Sequence, residues 1–155
     1  MSPSKKASPL AASQVPALRA LVLSLARYYL APGQTQLPDW LQETFTEEAF
    51  ARRLADKRFY HRVLFVEGEL AGYIAMHTTE NDCWHLYHLF VDARFQKQGI
   101  AKRLWQQALE ELGFSTCSLR SSLYAVPVYL RFGFVVNGGL QEKDGLQFQP
   151  MVYDE

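Results

Sequence analysis

The chain is expected to fold as an α/β (α+β) protein: a mixed, mostly antiparallel central sheet of six or seven strands with about four helices on both faces. Three observations predict it. Helical periodicity occupies the first third of the sequence, two β-type runs joined by a tight-turn signal follow, and single strands then alternate with helices before a final pair of strands. The order is helices, antiparallel hairpin, strand, helix, strand, helix, hairpin.

Residues 1–13, rich in Ser, Pro, Ala and Lys, read as a flexible N-terminal arm able to contribute a first strand. From Val15 to Leu30 the apolar residues Leu18, Leu21, Val22, Leu25, Tyr28 and Tyr29 recur in helical steps, and Ala31-Pro32-Gly33 signals a turn. Thr46 to Asp56 reads as a second helix. Thr46 can cap it, Glu47 and Glu48 suit its positive end, and Phe50 and Leu54 share a face. His61–Glu67 and Glu69–His77 are strands joined at Glu67-Gly68-Glu69, and Trp84–Asp92 is a third. Gly99–Leu112 is the strongest amphipathic helix, with Ile100, Leu104 and Ala108 in one row and Ala101, Trp105, Leu109 and Leu112 in the next. Gly113 stops it. Thr116–Leu119 is a strand, Leu123–Phe132 a short helix, and Phe134–Asn137 and Gln147–Tyr153 two closing strands.

At 155 residues the chain is read as one domain, 1–155. Sixteen Lys and Arg balance sixteen Asp and Glu, which argues against a nucleic-acid partner and an anionic membrane surface. Cys83 and Cys117 do not make a secreted disulfide framework, and both are expected reduced. Lys5 and Lys6 precede a stretch broken by Pro9, Ser13, Gln14, Pro16 and Arg19, so no signal peptide is expected. The run Ala20-Leu21-Val22-Leu23 is far too short to span a bilayer. A cytoplasmic protein is the expectation.

The chemically informative segment runs from Leu89 to Leu104. A strand ends, a polar loop turns, and a long helix opens at Gly99. Free N–H groups and partial positive charge at a helix N-terminus receive phosphate readily, and Gly99 and Ala101 lack bulk. Lys97, Lys102 and Arg103 sit where the helix dipole favours Asp or Glu, so an anion docking between them relieves the mismatch. The same charges also suit a merely solvated surface helix. No Gly-Lys-Ser/Thr triplet exists, which excludes a P-loop, and a lone Gly in the turn fails the Rossmann fingerprint.

Gln96-Lys97-Gln98-Gly99-Ile100-Ala101 matches the Q/R-x-x-G-x-G/A signature of the GCN5-related N-acetyltransferase superfamily, with Val91-Asp92 at the end of the preceding strand. About 25 residues further on, Ser121 to Phe134 resembles that family's second motif, N-x-x-A-x-x-x-Y-x-x-x-G-F. Ala101 stands for the second Gly, and Ser121 or Ser122 for the Asn. The resemblance covers roughly residues 60–137 well and the first 45 only in general pattern.

The resemblance implies acetyl-CoA as co-substrate, no metal, and a sheet splayed between the third and fourth core strands (the fourth and fifth when the arm supplies a first one). The backbone of Leu89-Phe90-Val91 would pair with the pantetheine arm. The N–H groups of Gln96, Lys97, Gln98, Gly99, Ile100 and Ala101 would hold the pyrophosphate, with Ser122 and Tyr129 also in contact with the cofactor. Tyr129 falls on the motif's Tyr and would be the acid for the departing thiolate, its reference pKa of about 10 being well matched. The ordinary reading of such a Tyr is core packing. Where relatives use a base on the third strand it sits six residues before the motif's Val, which here is His85. His88 is the reserve candidate, and a water chain the alternative.

By strand alternation His85 is expected to share a face with Tyr87, Leu89 and Val91, and His88 with Leu86 and Phe90. Joint metal ligation by Cys83, His85 and His88, with His77 nearby, is therefore not expected, and the spacing fits no zinc pattern. Asp39, Glu43, Glu47 and Glu48 near Trp40, Phe45 and Phe50 suggest either an acidic, aromatic rim for a cationic amine or a solvated helix start with its aromatics in the core. The expected function is acetyl transfer to a primary amine of a small molecule or peptide by direct attack in a ternary complex. The alternative is a catalytically weak acetyl-CoA sensor. Homodimerisation is left open.

Overall fold

The computed structural model describes residues 6–30, 33–79 and 83–155; the first residues of the arm with Lys5, and Ala31-Pro32 of the expected turn, lie outside them. Helix α1 (Val15–Ser24) buries Val15, Leu18, Leu21 and Val22, the expected stripe. It stops earlier than Leu30. Ser24 Oγ donates to the Leu21 carbonyl at 2.6 Å, and the chain tightens into a 3₁₀ turn over Ala26–Tyr29. A short helix, α2 (Asp39–Thr44), follows Pro38 and has no counterpart in the expected elements, since six residues are too few to display a period. In α3 (Glu47–Ala55) the Thr46 hydroxyl accepts the Ala49 N–H at 3.1 Å, the cap that residue type implies.

Strands β1 (Phe59–Val66) and β2 (Glu69–Thr78) form the hairpin, with Glu67 at φ 50° and Gly68 at φ 82°. Positive φ at both turn residues is the I′ geometry that matches strand twist. Strand β3 (Trp84–Val91) pairs antiparallel with β2, and α4 (Ile100–Leu112) crosses to β4 (Thr116–Ser122). Helix α5 (Val126–Phe132), entered through a 3₁₀ turn at Leu123–Ala125, leads to β5 (Val135–Val136), β6 (Gln141–Lys143) and β7 (Leu146–Asp154). Strand β6, three residues long, is the other unforeseen element. The sheet order is β1-β2-β3-β4-β7-β5, with β6 also on β7. Among the described residues the arm makes a single bridge, Ser8 to Val63, and no strand. Gln107 of α4 anchors it by accepting from the Ala7 N–H at 2.9 Å and donating to the Ala7 carbonyl at 3.0 Å.

Two cores flank the sheet. On one face Ile100, Leu104, Trp105 and Ala108 of α4 pack with Ile74, Met76, Leu86, Leu119, Tyr129 and Met151. On the other, Leu18 and Val22 of α1, Leu41 of α2, Phe45 and Phe50 pack with Val63, Tyr73, Ala75 and Phe90. A fully buried side chain of this kind contributes about 1.5–3 kcal/mol, so both helix layers are held mainly by apolar burial. Among the described residues no helix is long and apolar enough to cross a membrane.

Close contact sets the height of α4 over the sheet. A Cβ on Gly72 would lie 2.8 Å from Ile100 Cγ2 and 3.0 Å from Leu104 Cδ1. Gly72→Ala should therefore push the start of α4 outward and destabilise the fold by about 1–3 kcal/mol, measured by urea unfolding. An unchanged midpoint would mean that these two side chains move aside freely.

Candidate active site

The parallel ladder between β3 and β4 consists of Trp84 opposite Cys117 and His85 opposite Ser118, and it goes no further. Strand β3 nonetheless stays on β2 as far as Gly72–Val91, and β4 stays on β7 as far as Ser122–Phe148. The two half-sheets therefore diverge from His85 onward, and the edge of β3 through Leu89, Phe90 and Val91 has no strand on that side among the described residues. This is the expected splay. A cavity of about 510 Å³ opens there, lined by His85, His88, Leu89, Leu119, Ser122 and Tyr129 among others.

One expectation about this wall fails. Ala75 pairs with His88 and Met76 with Leu86, so Tyr87 is an extra residue on β3, a β-bulge. The bulge resets alternation. His85 lies opposite His77, and His88 opposite Ala75, so the two histidines share a face instead of opposing each other. Leu86 accordingly packs in the α4 core and Phe90 in the α1–α3 core. The face argument against joint ligation is lost. Among the described residues no group of three or more His, Cys, Asp or Glu is arranged to hold a metal ion.

His85 Nδ1 lies 3.0 Å from Ser118 Oγ. Burial, assisted by the nearby positive charge of Arg120 and by His77, pushes the His85 pKa down to about 4. His88 is 8% exposed, its ring set 5.8 Å from Phe45 and 5.2 Å from Phe90, and burial holds its pKa well below the usual value. Its Nε2 has no hydrogen-bond partner among the described residues. Both histidines are therefore neutral near pH 7.

Their depressed values have a stability consequence. The unfolded chain binds the His85 proton from about pH 6.5 downward, whereas the folded chain does so only near 4, so stability falls as pH drops across that window. His85→Gln should flatten this dependence in urea titrations between pH 7 and 4. A slope identical to the parent's would show that His85 is solvated.

Tyr129 is buried on α5 against Phe132 and Phe134, ring centroids 6.0 and 5.7 Å away. Burial, with the neighbouring Cys117 sulfur, raises its pKa, so the phenol stays protonated. Ser121 and Ser122 both line the cavity, and the Ser121 hydroxyl donates to the Ser122 carbonyl at 2.7 Å.

At the open end of β3, Asp92 organises the turn. Its carboxylate accepts the Arg94 N–H at 2.9 Å and pairs with the Arg94 guanidinium, which also reaches Glu69 at 2.8 Å. Gln96 Nε2 donates to the Val91 carbonyl at 3.1 Å. Lys97 at φ 64° and Gly99 at φ 79° then take left-handed conformations, and Gly99 becomes the N-cap of α4. No side chain caps this end, no acidic residue lies in the first turn, and the helix ladder begins with the Arg103 N–H on the Gly99 carbonyl at 3.0 Å. The first-turn N–H groups of Ile100, Ala101 and Lys102 are thus left for an anion. A Cβ built on Gly99 would meet no atom within 4 Å, so the space in front of the turn is open. Among the described residues Lys97, Lys102 and Arg103 form no ion pair.

The acidic rim does not form. Asp39, Glu43, Glu47 and Glu48 are exposed, none lines the cavity, and Phe45 and Phe50 are core residues. Among the described residues the charged ones that do line it are Arg120, Glu142 and Lys143, none of them singled out by sequence. Period-two alternation from Ser118 could have found Arg120, whereas β6 is too short to betray the other two.

The family model described as "Acetyltransferase (GNAT) domain" matches residues 30–155. None of the curated proteins matches the chain in sequence. Among solved structures it is similar to a PaiA N-acetyltransferase from Thermoplasma acidophilum in complex with coenzyme A, with TM-score 0.81 and 17% identity over 97% of this chain and 98% of that one. The ribosomal-protein-S18-alanine N-acetyltransferase of Escherichia coli superposes with TM-score 0.68 and 19% identity, covering 96% of this chain and 92% of that one. An aminoglycoside 6'-N-acetyltransferase complexed with coenzyme A gives TM-score 0.70 and 16% identity, covering 97% of each chain. At these identities the likeness is one of fold.

Proposed function

The chain belongs to the GNAT acetyltransferase family and is an acyl-CoA-dependent acetyltransferase, and from that premise we propose that it moves the acetyl group of acetyl-CoA to a primary amine by direct attack in a ternary complex. The observation that carries the reading is the gap between β3 and β4. An unpaired strand edge, a buried phenol and two neutral histidines meet around one cavity, and a turn that opens α4 without a side-chain cap lies beyond the end of the same strand.

In this reading the first-turn N–H groups of α4 and the turn from Gln96 to Ala101 hold the pyrophosphate. The edge of Leu89, Phe90 and Val91 pairs with the pantetheine amides as an added strand would, and Ser122 and Tyr129 complete the contact. Acetyl-CoA supplies the thioester carbonyl. The amine nitrogen bonds to that carbon, the carbon–sulfur bond breaks, the nitrogen gives up a proton, and the thiolate gains one. Tyr129, kept protonated by burial, donates to the sulfur. His85, neutral at physiological pH, accepts the amine's proton directly or through water. His88 shares that face and is the second candidate for the role. The whole chain is read as one domain.

The test is thiol release from acetyl-CoA against a panel of primary amines, with coenzyme A binding followed by calorimetry. Amine-dependent release supports the proposal. Tight binding without turnover on any acceptor would replace it with the sensor reading, and absence of binding would remove both.

A further inference from the structure

We infer that the acceptor amine carries an anionic group, a carboxylate or a phosphate, which docks on Arg120 at the cavity wall; this rests on the acetyl-transfer reading and adds a substrate class to it. Among the described residues, Arg120, Glu142 and Lys143 are the charged residues lining the cavity, two cations against one anion. Arg120 lies two residues beyond Ser118 on β4, so the two share a face of the strand, and Ser118 Oγ is 3.0 Å from His85 Nδ1. Arg120, an exposed residue, therefore lies on the same wall as His85, its backbone about 7 Å further along the strand than Ser118, where the ladder has already ended.

Among the described residues Arg120 has no acidic partner. The Lys143 ammonium sits 4.3 Å from the Trp40 ring centroid, and the Trp40 Nε1–H is buried without an acceptor among the described residues. The wall thus carries donors, on Arg120, Lys143 and Trp40, that no acceptor among the described residues engages. Its complement is a group rich in acceptor oxygens, for which the planar guanidinium fork is well shaped. Among the described residues the lining holds one more cation than anions, which disfavours a cationic polyamine.

Matched amines test this with the full chain and acetyl-CoA: an α-amino acid against its amide, and O-phosphoethanolamine against ethanolamine. The anionic member of one pair should have a kcat/KM about tenfold to a hundredfold higher, and the pair that responds identifies carboxylate or phosphate. Arg120→Gln should bring that ratio close to one without changing the affinity for coenzyme A. Arg120→Lys should keep part of it, and Glu142→Gln should raise it. Equal rates within both pairs, a ratio unaltered in Arg120→Gln, or a parallel loss of coenzyme A affinity overturns the inference. Absence of turnover on every amine despite coenzyme A binding instead overturns the acetyl-transfer reading, and this inference with it.

Discussion

Tyr129→Phe is expected to lower turnover by about 10²–10⁴-fold with little change in coenzyme A affinity. The ring is a structural element of the α4-side core, packed against Phe132 and Phe134, and Phe retains that packing. What the substitution removes is one hydroxyl at the cavity wall. Burial raises its pKa, which keeps the proton in place near neutral pH. An alkyl thiolate leaving without a proton donor is a poor leaving group, so the loss should fall on kcat and not on binding. Steady-state kinetics at saturating acetyl-CoA reads the effect, and calorimetry reads the binding. Equal turnover in the two proteins would remove Tyr129 from the acid role and leave it as core packing.

What could be read from the chain before its structure follows the length of each physical signal. Helix α4 carries a row of apolar residues over 13 positions between two glycines, and both glycines take the left-handed conformations that end a helix or open it. The Glu67-Gly68 turn is equally local, because two adjacent residues needing positive φ can be recognised without their surroundings. Helix α2 and strand β6 span less than two periods each and leave no such trace.

The error at His85 and His88 has a different origin. Alternation along β3 is a sound rule until an extra residue enters the ladder, and nothing about Tyr87 announces that it is unpaired. The charge at the cavity is likewise tertiary: Arg120 and Lys143 arrive from β4 and β6, strands separated by α5 and β5 in the chain. The acidic residues that looked relevant in sequence lie on α2 and α3 and face solvent. The turn that opens α4 was legible because it is made of consecutive residues, and the charged lining of the cavity was not because it is assembled from distant ones.

Gly99→Val should weaken coenzyme A binding by about a hundredfold or more, with the fold retained. Two effects act in the same direction. At φ 79° a β-branched residue is strained by about 1–3 kcal/mol, and the chain can relieve this only by turning the peptide units that aim the N–H groups of Ile100 and Ala101. The new side chain would also project into the open space before the first turn of α4, where a Cβ would meet nothing within 4 Å apart from its own chain neighbours. That openness separates this position from Gly72, at which a Cβ collides with Ile100 and Leu104 and the damage is to packing. Gly99→Ala should give an intermediate loss, because it adds the strain with little of the bulk. Calorimetric titration of both variants, with urea unfolding as the control for the fold, separates the two contributions. Undiminished affinity in Gly99→Val would show that the diphosphate is held elsewhere and that the left-handed turn serves only to start the helix.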